Sequence, residues 1–465
     1  MPDVDVKFGE HIISDLVVLE PSDSIFNVAT RPPIDTAIKM ILGKQNGYDI
    51  PFAAVSFSHH ARIPEQNLFR CLFGRDSLLI SNLLHRRLPS LQSNVVKALG
   101  VVQGSNFESF SEEEPGRIPH EDRERGDERG AELMKNSSWH FPYYGAVDAT
   151  LLWVSATAAI AKGDPSELDV ELNGTQLWKR VIAATEWIIL RMQTPSGFIE
   201  SHRSNPQGIQ NQVWKDSEDS YMHADGSLTQ GDSTASIETV AETYDALIGA
   251  IEIQRLRPSN LWPESETELG ARAQRLRERL IELLWLGDRF ALATERIDGK
   301  VQVALDSQAS NQGRLLNSGI LENPEMLEYR RAIAAAVTDP QLLGYTGLRT
   351  LSANHPSYRP GGYHTGSAWP MDSVFTARGL SKNGFHKESH LLLSRTKRAI
   401  ESIGGYPEFF RGDALENGLI TTRVTDVKSE SGHSNRICQP PQMIQGWTVG
   451  AYAWITENID RISTL

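Results

Sequence analysis

Two carboxylates set among aromatic residues are the strongest candidates for chemistry in this sequence. Asp216 follows Trp214 and Lys215 in the segment Asn-Gln-Val-Trp-Lys-Asp-Ser, and Glu408 lies in the segment Gly-Gly-Tyr-Pro-Glu-Phe-Phe-Arg. Apolar rings beside a carboxyl group disfavour its charged form and raise its pKa, as a general acid requires. Aromatic faces also stack on the C–H faces of sugars. Two such carboxylates with aromatic platforms are the arrangement that hydrolysis of a glycosidic bond uses.

Each of these carboxylates also has a structural interpretation. Asp216 could cap a turn and Glu408 could be an ordinary surface residue, and composition alone does not choose between the two interpretations. Nucleotide and zinc enzymes are easier to exclude. The sequence has no Gly-x-x-x-x-Gly-Lys, no Gly-x-Gly-x-x-Gly, no His-Glu-x-x-His and no Gly-x-Ser-x-Gly. We therefore expect neither a metal nor another cofactor.

Charge and hydropathy narrow the class of partner. The 465 residues include 46 basic and 59 acidic side chains, which gives a formal charge of −13. A chain of this charge is a poor partner for nucleic acid, because phosphate binding needs a cationic face. The sequence has no run of eighteen apolar residues and its first residues are unlike a signal peptide. We expect a cytoplasmic protein that binds neither nucleic acid nor membranes.

The elements that must position these carboxylates are helices. Apolar residues recur at steps of three and four in about eleven segments, whereas alternation typical of strands is rare, so the sequence predicts an all-α fold. The segments are 34–43, 76–87, 91–102, 146–161, 177–192, 236–251, 267–285, 327–337, 370–380, 388–402 and 441–458.

Long loops rich in Gly, Pro and aromatic residues separate the helices, at 104–145, 194–234, 303–320, 344–369 and 404–440. Such loops in a compact protein usually carry function. Within the first of them, the highly charged run Glu112 to Glu132 is typical of a solvated loop. No linker divides the chain. We therefore predict a single domain over residues 1–465, with residues 1–70 as a variable N-terminal lead-in.

Seven segments resemble signatures of the amylo-α-1,6-glucosidase domain of glycogen debranching enzymes, in that family's order. They are Phe73-Gly-Arg-Asp-Ser-Leu-Leu-Ile, Glu114-Pro-Gly-Arg-Ile-Pro-His-Glu, Tyr143-Tyr-Gly-Ala-Val-Asp-Ala-Thr, Asn211-Gln-Val-Trp-Lys-Asp-Ser with His223-Ala-Asp-Gly, Tyr363-His-Thr-Gly-Ser-Ala-Trp-Pro-Met-Asp, Tyr406-Pro-Glu-Phe and Gln445-Gly-Trp. The matches span about residues 70–450. The resemblance implies an (α/α)6 toroid, in which six inner and six outer helices surround a pocket, and the eleven predicted helices fit that expectation.

The resemblance also implies roles for individual residues. Asp216 would be the general acid, and Glu408 the general base that activates water from the opposite face, with inversion at the anomeric carbon. Arg75 and Asp76 would bind hydroxyl groups at the closed end of the pocket. The remaining substrate-binding residues would be Tyr144, Asp148, Trp214, Lys215, His364, Trp369, Gln445 and Trp447. Several of these roles have a structural alternative. Arg75 and Asp76 could form a buried salt bridge, and Asp148 could cap a helix. His364 could be an ordinary loop histidine, and the tryptophans could belong to the core.

The resulting hypothesis is an inverting, exo-acting α-glucosidase that removes terminal α-glucosyl residues as amylo-α-1,6-glucosidases do. The first alternative is a hydrolase of a small α-glucoside or glycosyl conjugate, such as a disaccharide or a glycosylglycerate. The other two are a sugar epimerase, which would leave Asp216 and Glu408 without a role, and an inactive glycan-binding relic. The sequence leaves the oligomeric state open.

Overall fold

The computed structural model describes residues 31–55, 69–231, 233–413, 423–428, 434–439 and 441–465. Most of the N-terminal lead-in over residues 1–70 therefore lies outside the described residues. The part of the chain that is described is rich in helices, as the periodicity predicts. No helix within it is both long enough and apolar enough to cross a lipid bilayer.

Twelve α-helices lie in the described ranges, and each of the eleven predicted segments corresponds to one of them. They are α1 (Ile34–Ile41), α2 (Gly74–Leu83), α3 (Leu91–Val101), α4 (Glu128–Ser137), α5 (Asp148–Gly163), α6 (Leu177–Arg191), α7 (Ile237–Leu256), α8 (Glu266–Leu284), α9 (Leu327–Thr338), α10 (Pro370–Lys382), α11 (His386–Glu401) and α12 (Gly446–Ser463).

Apart from α4, the helices and the 3₁₀ helix Ser310–Leu316 alternate between an inner and an outer position along the chain. The inner elements pack on one another in a closed circuit that runs α2, α5, α7, the 3₁₀ helix Ser310–Leu316, α10, α12 and back to α2. The outer helices α1, α3, α6, α8, α9 and α11 each pack against inner elements. This circuit is consistent with the toroid that the resemblance implies.

Burial follows the same division. The outer helix α8 buries only Leu269, Ala273, Leu276, Leu280 and Leu284, which lie at steps of three and four on one face, and a capping box between Ser265 and Glu268 fixes its start. The inner helix α10 is instead buried on nearly every side over its first ten residues. Helix α10 therefore packs against other parts of the protein on nearly all sides, whereas α8 presents one face to the protein and the other to solvent.

The sequence did not predict the short strands that connect these helices. Those in the described residues are β1 (Leu42–Gln45), β2 (Tyr48–Pro51), β3 (Leu72–Phe73), β4 (Glu121–Asp122), β5 (Glu171–Leu172), β6 (Thr175–Gln176), β7 (Ser233–Ser236), β8 (Ala293–Ile297), β9 (Val301–Leu305), β10 (Arg423–Lys428) and β11 (Ser434–Gln439). All pair antiparallel, as β1–β2, β3–β4, β5–β6, β10–β11 and the three-stranded sheet β7–β8–β9. They shape the loops and leave the helical circuit intact.

The prediction of a solvated loop over Glu112 to Glu132 is wrong for much of that run. Glu112 and Arg117 are buried, and β4 pairs with β3 directly before α2. Asp127 caps α4 by accepting a hydrogen bond from the Gly130 backbone N–H. The charged residues of this run are therefore partly internal, because they pair with one another and with neighbouring loops.

The loops before the inner elements meet at one end of the circuit. Arg75 near the start of α2 contacts Asp148 at the start of α5, and Asn311 in the 3₁₀ helix contacts Glu238 at the start of α7. Trp369, just before α10, packs on Trp447 at the start of α12. The N-terminal ends of the inner elements thus carry six of the twelve predicted site residues, namely Arg75, Asp76, Asp148, Trp369, Gln445 and Trp447.

Candidate active site

Arg75 lies among a group of three carboxylates. Its guanidinium lies 3.0 Å from Asp148 Oδ2, and 3.7 Å from an Oδ2 atom of each of Asp76 and Asp216. Arg75, Asp76 and Asp148 are buried, whereas the Asp216 side chain is 30% exposed. Three carboxylates around one guanidinium give this group an excess of negative charge, and only Asp216 among the four reaches open space.

Burial and charge act together on this group. Burial raises the pKa of Asp76 to about 7; Arg75 opposes the shift, while Asp216, Asp148 and Glu408 add to it. Burial alone would lower the pKa of Arg75, but Asp148, Asp76 and Asp216 outweigh burial and raise it. Arg75 therefore stays protonated, and Asp76 is partly protonated near neutral pH.

The loop that carries Asp216 is fixed on both sides. Asn211 donates a hydrogen bond from Nδ2 to the Ser217 carbonyl at 2.8 Å, which closes the loop across Asp216. The Gln212 carbonyl accepts from the Val147 N–H, directly before α5. The side chain of Gln212 is held in turn by the buried Arg117, at 2.7 Å. The loop is thereby tied to the helix that begins with Asp148.

Glu408 is held between two neighbouring segments. Its backbone N–H donates to the Gln442 carbonyl at 2.8 Å, and the Gln442 N–H donates to Glu408 Oε2 at 3.3 Å. The Tyr363 hydroxyl donates to Glu408 Oε1 at 2.5 Å. Glu408 is only 6% exposed. Hydrogen bonds to both oxygens favour the ionised carboxylate, which is the form that a general base needs.

A cluster of aromatic rings includes residues from the segments that carry the two carboxylates. Trp369 is at its centre and packs with ring centroids 4.8–5.8 Å apart against Trp214, Tyr363, His364 and Trp447. Trp214 is two residues before Asp216, and Tyr363 binds Glu408. The aromatic cluster therefore joins the loop that carries Asp216 to the segment that carries Glu408.

Polar contacts run beside the rings. Ser217, directly after Asp216, places its Oγ 2.8 Å from His364 Nδ1, and the neighbour of His364 is the tyrosine that binds Glu408. The loops at 211–220, 363–369 and 404–410 therefore meet, although Asp216 and Glu408 are far apart in sequence.

The remaining predicted residues lie at varied distances from this centre. Trp447 is part of the aromatic cluster, and its Nε1, like that of Trp214, is buried with no hydrogen-bond partner among the described residues. Gln445 caps α12 by accepting from the Gly446 N–H with its side-chain oxygen. The Tyr144 hydroxyl donates to the Val102 carbonyl, where burial raises its pKa. Lys215 is fully buried and donates to the Thr350 carbonyl at 2.7 Å.

Two side chains of the site were not singled out from the sequence. Tyr363 binds Glu408, and Ser217 binds His364 through its hydroxyl and, at 3.4 Å, through its backbone N–H. Both stand inside segments that the resemblance already marked, next to His364 and Asp216. The only sequence feature that could have marked Tyr363 and Ser217 was their position next to a predicted residue. Such a position does not indicate where a side chain points. Within the described residues, no group of three or more His, Cys, Asp or Glu side chains is arranged to hold a metal ion.

Comparison with known proteins identifies the class of enzyme to which this chain belongs. The family profile of the mannosylglycerate hydrolase MGH1-like glycoside hydrolase domain matches residues 183–413, a range that contains both Asp216 and Glu408. The chain is a glycoside hydrolase. This result confirms the prediction of a glycosidase, whereas the more specific prediction of a debranching enzyme finds no support.

Solved structures of low sequence identity share the fold. A GH63 mannosylglycerate hydrolase from Thermus thermophilus, in complex with Tris and D-glycerate, superposes with a TM-score of 0.60 at 13% identity, over 91% of this chain and 100% of its own. An uncharacterized conserved protein from the same organism gives a TM-score of 0.56 at 14% identity, over the same shares of the two chains. None of the curated protein sequences matches this chain.

Proposed function

We propose that this enzyme hydrolyses a small glycosyl conjugate of the glycosylglycerate type, with release of a monosaccharide. The observation that carries the proposal is the match to the mannosylglycerate hydrolase-like profile, because the matched residues include both candidate catalytic carboxylates. The chain would thus follow the small-conjugate alternative in preference to cleavage of a branched glucan. We assign the helical circuit to an (α/α)6 toroid, with the pocket at the N-terminal ends of its inner elements.

In the proposed mechanism Asp216 donates its proton to the glycosidic oxygen as the C–O bond breaks. Glu408 removes a proton from a water molecule, whose oxygen attacks the anomeric carbon from the opposite face. One inverted sugar and one alcohol leave, Asp216 is left ionised and Glu408 protonated, and exchange with solvent resets both groups. The exposure of Asp216 supports the acid role, since its carboxyl can reach a leaving group. The hydrogen bonds on Glu408 support the base role.

The carboxylates around Arg75 suit the charge of such a reaction. The transition state of glycoside hydrolysis resembles an oxocarbenium ion, with positive charge at the ring oxygen and the anomeric carbon. An excess of negative charge on the floor of the pocket favours that state over the neutral substrate, and stabilisation confined to the transition state raises the rate. Arg75 and Asp76 would bind sugar hydroxyls there as donor and acceptor.

A substrate panel tests the proposal. The purified protein would be incubated with mannosylglycerate, glucosylglycerate, maltose, isomaltose and a branched glucan, and released monosaccharide would be measured. We expect a kcat/KM for a glycerate conjugate at least about 100-fold above that for any glucan, a difference of about 2.7 kcal/mol in transition-state binding. Proton NMR of the first product should show the inverted anomer. Preference for the branched glucan, or interconversion of free sugars without hydrolysis, would contradict the proposal.

A further inference from the structure

A second cavity, the far cavity, lies inside the circuit beyond the floor around Arg75. Its volume is about 190 Å³, and residues of α2, α5, α7, α10 and the end of the 3₁₀ helix line it. Because the inner helices begin at the end that carries the candidate active site, residues later in each helix lie toward the opposite end. Ser155 and Ala159 line the far cavity about two and three turns after Asp148 along α5, and Ala159 is exposed. The far cavity therefore opens at the opposite end of the circuit.

Two arginines of the far cavity lie against a single aromatic ring. The guanidinium carbon of Arg314 lies 4.5 Å from the centre of the Phe375 ring, and that of Arg378 lies 5.1 Å from it. Two cations this close repel each other, and holding both away from bulk water is unfavourable unless an anion lies nearby. Burial accordingly lowers the pKa of Arg378 to about 10, and Arg314 adds to this shift.

Protein groups satisfy few of the donors on these arginines. Among the described residues, Arg378 donates to a single acceptor, Asn82 Oδ1 at 2.6 Å, and it forms no ion pair. Arg314 lies 3.6 Å from one carboxylate, that of Glu242, and its one hydrogen bond goes to the Met371 sulfur at 3.3 Å. Each guanidinium carries several N–H groups. Most of the donors on the two side chains are therefore available to a molecule in the far cavity.

The same cavity also offers an acceptor. Glu242 contacts Arg314 through Oε1, and its Oε2 is buried with no hydrogen-bond partner among the described residues. Glu238 and Asp245, two other acids that line the far cavity, already accept hydrogen bonds from protein groups. Burial raises the pKa of all three carboxyl groups, that of Asp245 to about 6, which reduces the negative charge they bring to the cavity. The far cavity thus presents donors suited to an anion and one acceptor suited to a hydroxyl group.

We propose that the far cavity binds a small hydroxy acid, whose carboxylate accepts from Arg314 and Arg378 and whose hydroxyl group donates to Glu242. The volume of the cavity corresponds to about six water molecules, close to the number of non-hydrogen atoms in a three-carbon hydroxy acid. None of the candidate catalytic or sugar-binding residues lines the far cavity. The site is therefore separate from the catalytic pocket, and its assignment does not depend on the proposed hydrolysis.

Fluorine NMR of the protein labelled with fluorotryptophan tests the site and separates it from the catalytic pocket. The centre of the Trp454 ring lies 5.7 Å from the Arg378 guanidinium carbon, so Trp454 reports on the far cavity, whereas Trp369 reports on the aromatic cluster of the catalytic pocket. We expect D-glycerate to move the Trp454 resonance, which Trp454→Phe assigns, in a saturable way. Glycerol, the matched uncharged probe, should leave that resonance in place.

Substitution of one arginine should weaken this binding. Arg378→Met should raise the D-glycerate concentration that half-saturates the Trp454 shift at least about 10-fold, because the carboxylate loses a charged donor. Arg180→Met is the matched control. Arg180 is also partly buried and forms no ion pair among the described residues, but it lies on the outer helix α6 and donates to the Leu172 carbonyl. It should leave the half-saturating concentration unchanged.

A second variant keeps the test decisive if Arg378→Met folds poorly. Ala159 is exposed where the far cavity opens, so Ala159→Phe should fold normally, obstruct entry and weaken the response of Trp454 to D-glycerate. A response confined to Trp369 would place the ligand in the catalytic pocket and overturn the inference. An equal response to glycerol, or a Trp454 resonance that does not move in the wild-type protein, would overturn it as well.

Discussion

Asp216 and Glu408 differ in exposure and partners, so their replacements should differ in effect. Asp216→Asn should abolish hydrolysis of glycosides with poor leaving groups and affect glycosyl fluorides far less, because fluoride departs with little protonic help. Glu408→Gln should lose activity on both, since water must be activated in either case. Steady-state rates on the two substrates, with circular dichroism to check folding, measure this. An equal loss on both substrates for Asp216→Asn would remove it from the acid role.

Tyr363 should set the protonation of Glu408. Tyr363→Phe removes the 2.5 Å hydrogen bond to Glu408 Oε1, which stabilises the ionised carboxylate. We therefore expect a fall in kcat of roughly 10- to 100-fold and an acidic limb of the kcat–pH profile that moves to higher pH. Tyr358→Phe is the control, because its buried hydroxyl has no hydrogen-bond partner among the described residues. A profile for Tyr363→Phe that matches the wild type in both limbs would contradict this role.

Asp76 should make stability depend on pH. Its pKa is about 7 in the folded protein and about 4 in an unfolded chain, so the stability it contributes is complete below about pH 4 and is lost as the pH rises through about 7. Asp76→Asn lacks this dependence. Relative to wild type, its free energy of unfolding should rise by on the order of 2–4 kcal/mol between about pH 4 and 8. Urea titrations measure this, with the exposed Glu171→Gln as control; parallel curves would refute it.

The sequence indicated which residues belong to the candidate site, but it did not indicate where their side chains point. The aromatic setting of Asp216 and Glu408 was visible in the sequence, and both belong to loops that meet around Trp369. The inward turn of Lys215 was not visible, because a loop has no period from which side-chain direction can be read. Tyr363 was missed for the same reason, since its hydroxyl finds Glu408 only through contacts between distant segments.

At the level of elements, α10 lies very close to the end of the 3₁₀ helix. A substitution that adds a single methyl group at this contact should therefore change the stability of the fold. A Cβ on Gly379 would lie 2.7 Å from Leu316 Cβ and 2.8 Å from the Asn317 nitrogen. Gly379→Ala should therefore destabilise the fold by about 1–3 kcal/mol. Gly270→Ala in α8 meets nothing within 4 Å, and should stabilise by about 0.5–1 kcal/mol. Chemical denaturation measures both, and shifts of the same sign would contradict the packing described.

The spacing of apolar residues predicted eleven of the helices and missed the helical elements whose residues are mostly polar or charged. The 3₁₀ helix Ser310–Leu316 takes an inner position, yet its first five residues, Ser-Asn-Gln-Gly-Arg, are polar or glycine and all are buried. No apolar stripe marks such an element, so the sequence predicted a loop there. Helix α4 begins from a side-chain cap on a highly charged segment, which the sequence pattern assigned to solvent.

At the scale of the whole molecule, the closed circuit should make unfolding cooperative. Because α12 packs on α1, α2, α10 and α11, it cannot leave without exposing its neighbours. We expect one calorimetric transition. A ligand at about 100 times its Kd should move the entire transition, through about 2.7 kcal/mol of added stability. Two transitions, of which the ligand moves only one, would show that the circuit is not a single folding unit.

The three carboxylates around Arg75 also affect which buffer is suitable for purifying and assaying this enzyme. A protonated amine with several hydroxyl groups resembles the positively charged sugar ring of the proposed transition state, so we expect such a compound to compete with substrate for these carboxylates. Purification and kinetics in an amine buffer would therefore understate the activity, whereas a buffer without a primary amine would leave the floor around Arg75 open to sugar.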